Sequence, residues 1–343
     1  LLPNIFLFIH MTKRTTIDDI AKALGVNKST VSRAINNPSL VSNEMREKIQ
    51  KMCERMNYIP NNIAKSLASS STNSIVLLIP SFSNDVFNEV IEGVKRVCDQ
   101  WNYNLLISDF SYTPLEEQRI IEKYLQQNVD GFILTETFHT QKTMDLLKIS
   151  NIPTVEIMHI DSSPNFLANI GIDQYAAARY LIKFLVEEKK RKNIALCSSW
   201  LDSRACLRKT AWEDVLTECQ LSTERYFRIQ GKTSFASGAE SVLEILYQWP
   251  DTDAIFFIND DVAAGAIMEC NRRGIKVGKE LDIVGFNDLD FAKVINPSLT
   301  TIFTPRFDMG KLGAEILIQF LAGKKPQQNI IELPFKFMRR QSA

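Results

Sequence analysis

Three arginines, Arg204, Arg208 and Arg306, stand where short apolar runs give way to polar loops or to the start of a helix. Arg204 and Arg208 are four apart, so they share one helix face. A guanidinium presents a planar fork of donors that matches a carboxylate or a phosphate. One such arginine alone would more often be a surface ion pair; three on loops expected to converge point to capture of a small anion. Other polar residues follow the same kind of run: Ser81, Phe82 and Asn84 after Ile75–Ile79, Thr135 and Glu136 after Phe132–Leu134, Asn259 and Asp260 after Ala254–Ile258, and Asn287 after Ile283–Phe286. Asp and Asn side chains there would hold hydroxyls, and Phe82 would cover a carbon face. Asp260 and Asp261 form a carboxylate pair, but with no His or metal partner they read as helix capping rather than general acid–base chemistry.

A second set lies near the N-terminus. Lys28, Ser29, Ser32 and Arg33 fall on the polar side of a short helix expected over Lys28 to Ile35, with Val31 and Ile35 inward. Lys and Arg at such positions can donate to guanine edges or phosphates, and Ser to either. The helix before it carries Ile17, Ile20, Ala21 and Leu24 at helical spacing behind a Thr16 cap. Gly25-Val26-Asn27 breaks the two apart, with Asn27 as the second cap. Pro38 ends the second helix, and Ser42 can cap a third striped by Met45, Ile49, Met52, Cys53 and Met56. Three short helices with a glycine turn between the first two can set the second into a major groove. The plainer alternative is a small helical bundle with a solvated charged face.

Charge favours the first reading. Of the 40 basic and 40 acidic residues in the chain, residues 11–70 hold ten basic and five acidic. A basic head on an acidic body suits a polyanionic partner. The 343 residues are 45% apolar, which excludes long disorder and accommodates about two or three domains. No run approaches the ~18 apolar residues of a membrane span. LLPNIFLFIH at the start is too short and lacks the positive flank of a signal peptide, so it reads as an extension ahead of Met11. Six cysteines without a CxxC pair read as reduced core thiols of a cytoplasmic protein. The three histidines are scattered, so no metal is expected. Dinucleotide, P-loop and nucleophile-elbow motifs are missing, and no cofactor or enzymatic activity is expected.

Beyond the polar linker at residues 69–73, apolar runs alternate with amphipathic stretches. Expected strands are Ile75–Ile79, Leu105–Ile107, Phe132–Leu134, Val155–Ile157, Ile194–Cys197, Ala254–Ile258 and Ile283–Phe286, with a helix over Val86 to Trp101. This alternation gives parallel sheets covered by helices. The stretch from Ile194 repeats the strand, loop and helix of the stretch from Ile75, so two similar lobes are expected. Ligands in such sheets collect at the carboxyl ends of the strands.

The run from Thr16 to Ala68, with DIAKALGV, STVSRAIN, REKI and NYIPN, resembles the N-terminal signature of the LacI/GalR family of bacterial repressors. FFINDDVAAGA, DIVGFND and PSLTTI extend the resemblance through the body. It implies an N-terminal all-α helix-turn-helix head with a hinge helix, then an α/β periplasmic-binding-protein-like body of two parallel-sheet lobes. The implied domains are residues 11–60, a hinge and linker at 61–73, and an effector-binding and dimerisation domain at 74–343. Its N-lobe would take about 74–169 and 303–329, its C-lobe about 170–302 and 330–343. Lys28, Ser29 and Arg33 correspond to the family's base-reading side chains, and Thr30, Ser32 and Asn36 to phosphate contacts. Thr16, Asn61 and Ala64 complete the implied DNA set. Leu67, in a hinge helix over Asn61 to Ala68, would be a wedge in the minor groove. Arg208 matches a pocket arginine, and Asn259 and Asn287 match effector-contacting positions, Asn287 standing where the family commonly has an acid.

IPSFSNDVFNEVIEGV, TETFHT and TPRFDMG resemble the branch of the family that controls gluconate use. The implied protein is a repressor, homodimeric since no leucine heptad ends the chain, that leaves a palindromic operator when gluconate or a related sugar acid binds. The alternative from another class is a solute-binding protein or a sugar-acid enzyme on the same body fold, neither of which needs residues 11–68.

Overall fold

Thr16 and Asp19 start the first helix by exchanging hydrogen bonds. The Thr16 hydroxyl accepts from the Asp19 N–H at 3.3 Å, and Asp19 Oδ2 accepts from the Thr16 N–H at 2.9 Å. That helix, α1 (Ile17–Leu24), ends at Gly25, whose φ of 66° is readily adopted only without a Cβ. Next comes α2 (Lys28–Asn36), with Asn27 at its N-cap position. The expected side-chain cap is not made there. Ser42 does cap α3 (Asn43–Arg55), accepting from the Met45 N–H at 3.4 Å. The core of this unit is Ile20, Ala21, Val31, Ala34 and Ile49. Ile35 packs only at its margin, because Ala34 occupies the inward position expected for it.

The computed structural model describes residues 15–59, 71–160, 166–199 and 202–343. The chain divides into two units, residues 1–70 and 71–343. The hinge residues Asn61, Ala64 and Leu67 lie outside the described residues.

In chain order the strands of the second unit are β1 (Ser74–Ile79), β2 (Asn104–Asp109), β3 (Gly131–Leu134), β4 (Thr154–His159), β5 (Ala168–Ile172), β6 (Ile194–Ser198), β7 (Tyr226–Arg228), β8 (Ala254–Phe257), β9 (Asp282–Val284), β10 (Thr301–Phe303), β11 (Ile330–Glu332) and β12 (Lys336–Met338). The helices between them are α4 (Asn88–Gln100), α5 (Pro114–Leu125), α6 (Gln141–Ser150), α7 (Gln174–Lys183), α8 (Ser203–Glu218), α9 (Phe235–Gln248), α10 (Asp260–Arg273) and α11 (Arg306–Leu321). Six strands form one parallel sheet in the order β11-β5-β4-β3-β1-β2, and four form a second in the order β7-β6-β8-β9. An antiparallel pair, β10 and β12, stands apart from both. Strands β1, β3, β6 and β8 are buried along their whole length, as expected of parallel strands covered on both faces.

Two boundaries differ from expectation. β5 belongs wholly to the first sheet, so that lobe runs to Ile172 rather than to 169. β11 pairs with β5, with Ile330 opposite Asn169, so 330–332 lies in the first lobe's sheet and only the chain after it returns to the second lobe. Both segments are short and follow no clear alternation, so hydrogen bonding decides their place. Helix α11 packs on α4 at glycine contacts. A Cβ on Gly93 would sit 2.2 Å from the Phe307 carbonyl oxygen, and one on Gly310 would sit 2.3 Å from that of Val90.

Candidate functional site

On the head, Lys28, Ser29, Arg33 and Asn36 are exposed along α2, while Thr30 and Ser32 are half-buried beside them. Lys28 reaches back to Asp18 at 3.2 Å, with both side chains more than half exposed. An exposed pair of this kind contributes little and yields readily to a phosphate. Thr16 is exposed, but its hydroxyl is engaged with Asp19 Oδ2 at 2.7 Å.

In the body, the carboxyl ends of both sheets face one cleft. Asn84 and Phe87 come from the segment after β1, Tyr112 from that after β2, and Met158 from β4. Ser199, Asp202, Arg204 and Arg208 follow β6, Asn259 follows β8, and Asn287 follows β9. Together they close on a small cavity of about 20 Å³. The helix α8 begins here, so its partial positive end faces the cleft. Met158, Asn287 and Tyr112 carry φ of 88°, 111° and 57°. Such backbone is costly for residues with a Cβ and tends to gather at ligand sites.

Arg204 and Arg208 are both buried. Arg204 Nε and Nη2 donate to Asp202 Oδ2 at 3.1 and 2.6 Å, and its Nη1 is buried without a hydrogen-bond partner. Burial works against the Arg204 charge, but the Asp202 carboxylate more than offsets it and keeps the guanidinium firmly protonated. Arg208 donates from Nε and Nη2 to Gln174 Oε1 at 3.0 and 2.8 Å and from Nη1 to the Ile258 carbonyl at 2.8 Å. It lies 3.7 Å over the Phe286 ring. Among the described residues Arg208 pairs with no carboxylate, and burial pushes it down to about 9. An anion entering the cleft therefore meets one guanidinium paired to a carboxylate with a spare donor, and one hydrogen-bonded to neutral oxygens that Asp202 and Asp260 offset only across space.

The cleft gathers Asn84, Arg204, Arg208, Asn259 and Asn287 of the residues expected to meet a ligand, and Asn287 Nδ2 donates to Asn259 Oδ1 at 3.2 Å. It does not gather the other six. Arg306 is fully buried at the start of α11, where Nη2 pairs with Glu89 at 2.8 Å and Nη1 donates to the carbonyl of Asn287. The third arginine thus braces Asn287, a lining residue, rather than lining the pocket itself. Asp260 is also fully buried, accepting from the Leu289 N–H at 2.8 Å and the Thr301 hydroxyl at 2.6 Å, and burial raises it to about 6. Thr135 donates to the Leu78 carbonyl at 2.9 Å and ties β3 to β1. Glu136 accepts from the Ser203 hydroxyl and so bridges the lobes. Ser81 bonds Ser83 and lines a separate crevice with Asp109, Arg228 and Lys232. Phe82 is 58% exposed, and Phe87 supplies the aromatic wall instead. Asp202, Tyr112 and Gln174 escaped the sequence reading. An acid two residues ahead of Arg204 was the available signal for Asp202.

His139, read as scattered, is clamped away from the cleft between Glu117 at 2.7 Å and Glu156 at 3.1 Å. All six cysteines are free, but Cys206 is exposed on α8 rather than in the core.

A model of the bacterial regulatory proteins of the lacI family matches residues 16–61, and one of the periplasmic binding protein-like domain matches residues 182–343. The chain is 34% identical to the HTH-type transcriptional regulator GntR of Escherichia coli (strain K12) over 323 residues, 94% of this chain and 97% of that protein. A LacI-family transcriptional regulator from Silicibacter pomeroyi superposes with a TM-score of 0.90 at 28% identity, covering 96% of this chain and 99% of that one. The lac repressor dimer bound to operator and the anti-inducer ONPF superposes with a TM-score of 0.83 at 26% identity, covering 96% and 99%.

Proposed function

Because the chain belongs to the lacI family of bacterial regulatory proteins, and is thus a DNA-binding transcriptional regulator, we propose that it represses sugar-acid utilisation genes and that gluconate or a close relative is its effector. Arg208 is the observation that carries the effector class. A buried cation with no hydrogen-bonded carboxylate among the described residues, held by Gln174 and Ile258 at the foot of a polar cleft and offset only across space by Asp202 and Asp260, is costly and is relieved by an anion. Asn84, Asn259 and Asn287 offer amide groups to hydroxyls, and Phe87 offers an apolar face.

In this reading two copies bind a palindrome, each laying Lys28, Ser29 and Arg33 of α2 in a major groove, with half-sites about one helical turn apart. Thr30, Ser32 and Asn36 stand by for phosphates, and Thr16 reaches the backbone near α1. Asn61, Ala64 and Leu67 form the minor-groove element. The sugar acid binds the DNA-incompetent arrangement of the lobes more tightly and so releases the operator. The protein works in the cytoplasm; among the described residues no helix is long and apolar enough to cross a membrane. The repressor half is tested by anisotropy of labelled palindromic duplexes drawn from upstream of sugar-acid genes. Tight binding that weakens steeply with salt supports it. Equal, weak affinity for every duplex contradicts it.

A further inference from the structure

The cleft presents two guanidiniums with unequal surroundings. Arg204 is locked by two hydrogen bonds to one oxygen of Asp202, and Glu136, held by the Ser203 hydroxyl, adds a second carboxylate on the same side. Arg208 pairs only with neutral oxygens. Arg208 thus keeps donors for one anionic group, while the carboxylates around the two guanidiniums, Asp202 and Glu136 by Arg204 and Asp202 and Asp260 across space from Arg208, leave little surplus positive charge. From this we infer that Asp202 limits the cleft to a singly charged ligand, so that it takes a sugar monocarboxylate and rejects phosphorylated sugars. The inference rests on the sugar-acid reading above and adds a residue that sets its specificity.

A carboxylate accepts from Arg208 and from Arg204 Nη1, which has no hydrogen-bond partner among the described residues, and adds a single negative charge. A phosphate ester brings about 1.5 to 2 charges at pH 7. Its excess charge would lie close to Asp202 and Glu136 in a buried, low-dielectric space, where like charges repel strongly. A phosphorylated sugar acid carries that charge on top of its carboxylate and fits worse still. Asp202 also caps α8 by accepting from the Ala205 N–H at 3.0 Å. Asn at this position keeps the cap, because its side-chain oxygen can accept the same bond, and removes the charge together with the two hydrogen bonds from Arg204. Arg204 would then keep only the Glu136 carboxylate nearby, and the cleft would tolerate one more negative charge.

The test is calorimetric titration of the full chain, and of its Asp202→Asn variant, with D-gluconate, D-gluconate 6-phosphate and D-glucose 6-phosphate at pH 7.5. The expected result for the parent is gluconate bound at least about 30-fold more tightly than either phosphate, roughly what one unpaired buried charge costs. Asp202→Asn is expected to shrink that ratio at least about tenfold, chiefly by strengthening the phosphates. Asp202→Ser, which can also cap the helix, gives the same reading should the first variant fold poorly. A parent that binds the phosphates as tightly as gluconate overturns the inference while leaving the sugar-acid reading intact. So does a folded Asp202 variant with an unchanged ratio. If no aldonate binds the parent at all, the sugar-acid reading falls and this inference with it.

Discussion

Replacing Arg208 by Met separates ligand recognition from folding. The change removes the cation and its hydrogen bonds to Gln174 and Ile258 but keeps a flexible apolar chain against the Phe286 ring. In the complex, Arg208 would make a charge-assisted bond to the ligand carboxylate, worth about 1.5–3 kcal/mol. At about 1.4 kcal/mol per tenfold, gluconate affinity should fall about 10- to 150-fold. Stability should move far less. Gln174 Oε1 and the Ile258 carbonyl lose donors at roughly 1 kcal/mol each, but a buried cation offset only across space disappears at the same time. The expected melting temperature is therefore within about 5 °C of the parent, corresponding to roughly 1 kcal/mol or a little more. Operator affinity should not change, because the face proposed to meet DNA lies on α2. Calorimetry with gluconate, a thermal melt and operator anisotropy read the three quantities in turn. A gluconate dissociation constant within about threefold of the parent's would refute the reasoning, since one lost charge-assisted bond exceeds that.

Two further outcomes follow from the same structure. Arg33→Ala should cut operator affinity about 10- to 100-fold, or 1–3 kcal/mol, with gluconate binding to the free protein unchanged, as anisotropy and calorimetry would show. His139 is disfavoured as a cation by burial, but Glu117 and Glu156 more than offset this and push it up to about 10. The folded chain thus holds a proton that the unfolded chain releases near 6.5. The contribution is whole below that pH and is lost as pH rises toward 10. Urea unfolding should show lower stability at pH 9.5 than at pH 6.5, and His139→Ala should cost about 3–5 kcal/mol at neutral pH by stranding two buried carboxylates.

Much of the fold could be read from residue order because the central strands are continuous apolar runs. Ile75–Ile79 and Ala254–Ile258 each differ from the observed strand by a single residue. The strands that escaped are short, or are placed by partners distant in sequence. β11 has three residues and gains its position only by lying beside β5, more than 150 residues earlier. The antiparallel pair of β10 and β12 is of the same kind. At the site, Asn259 and Asn287 could be located because each follows an apolar run directly, and Arg204 and Arg208 because they stand four apart on the helix after β6. It could not foresee that Arg306, in the same kind of place, would turn to Glu89 and the Asn287 carbonyl. Nor could it foresee that Phe82 would face outward while Phe87 closed the cleft. Those outcomes depend on side-chain direction and on which charges meet across the two lobes.

In the proposed scheme one molecule reads an operator through α2 and a sugar acid through Arg208, and the second event undoes the first. It is tested most directly by holding the protein on a fluorescent palindromic operator and titrating D-gluconate, with D-glucose as the uncharged control. The account predicts that anisotropy falls to the free-DNA value with gluconate and stays unchanged with glucose. A complex that both sugars leave intact, or that both dissolve alike, would contradict it.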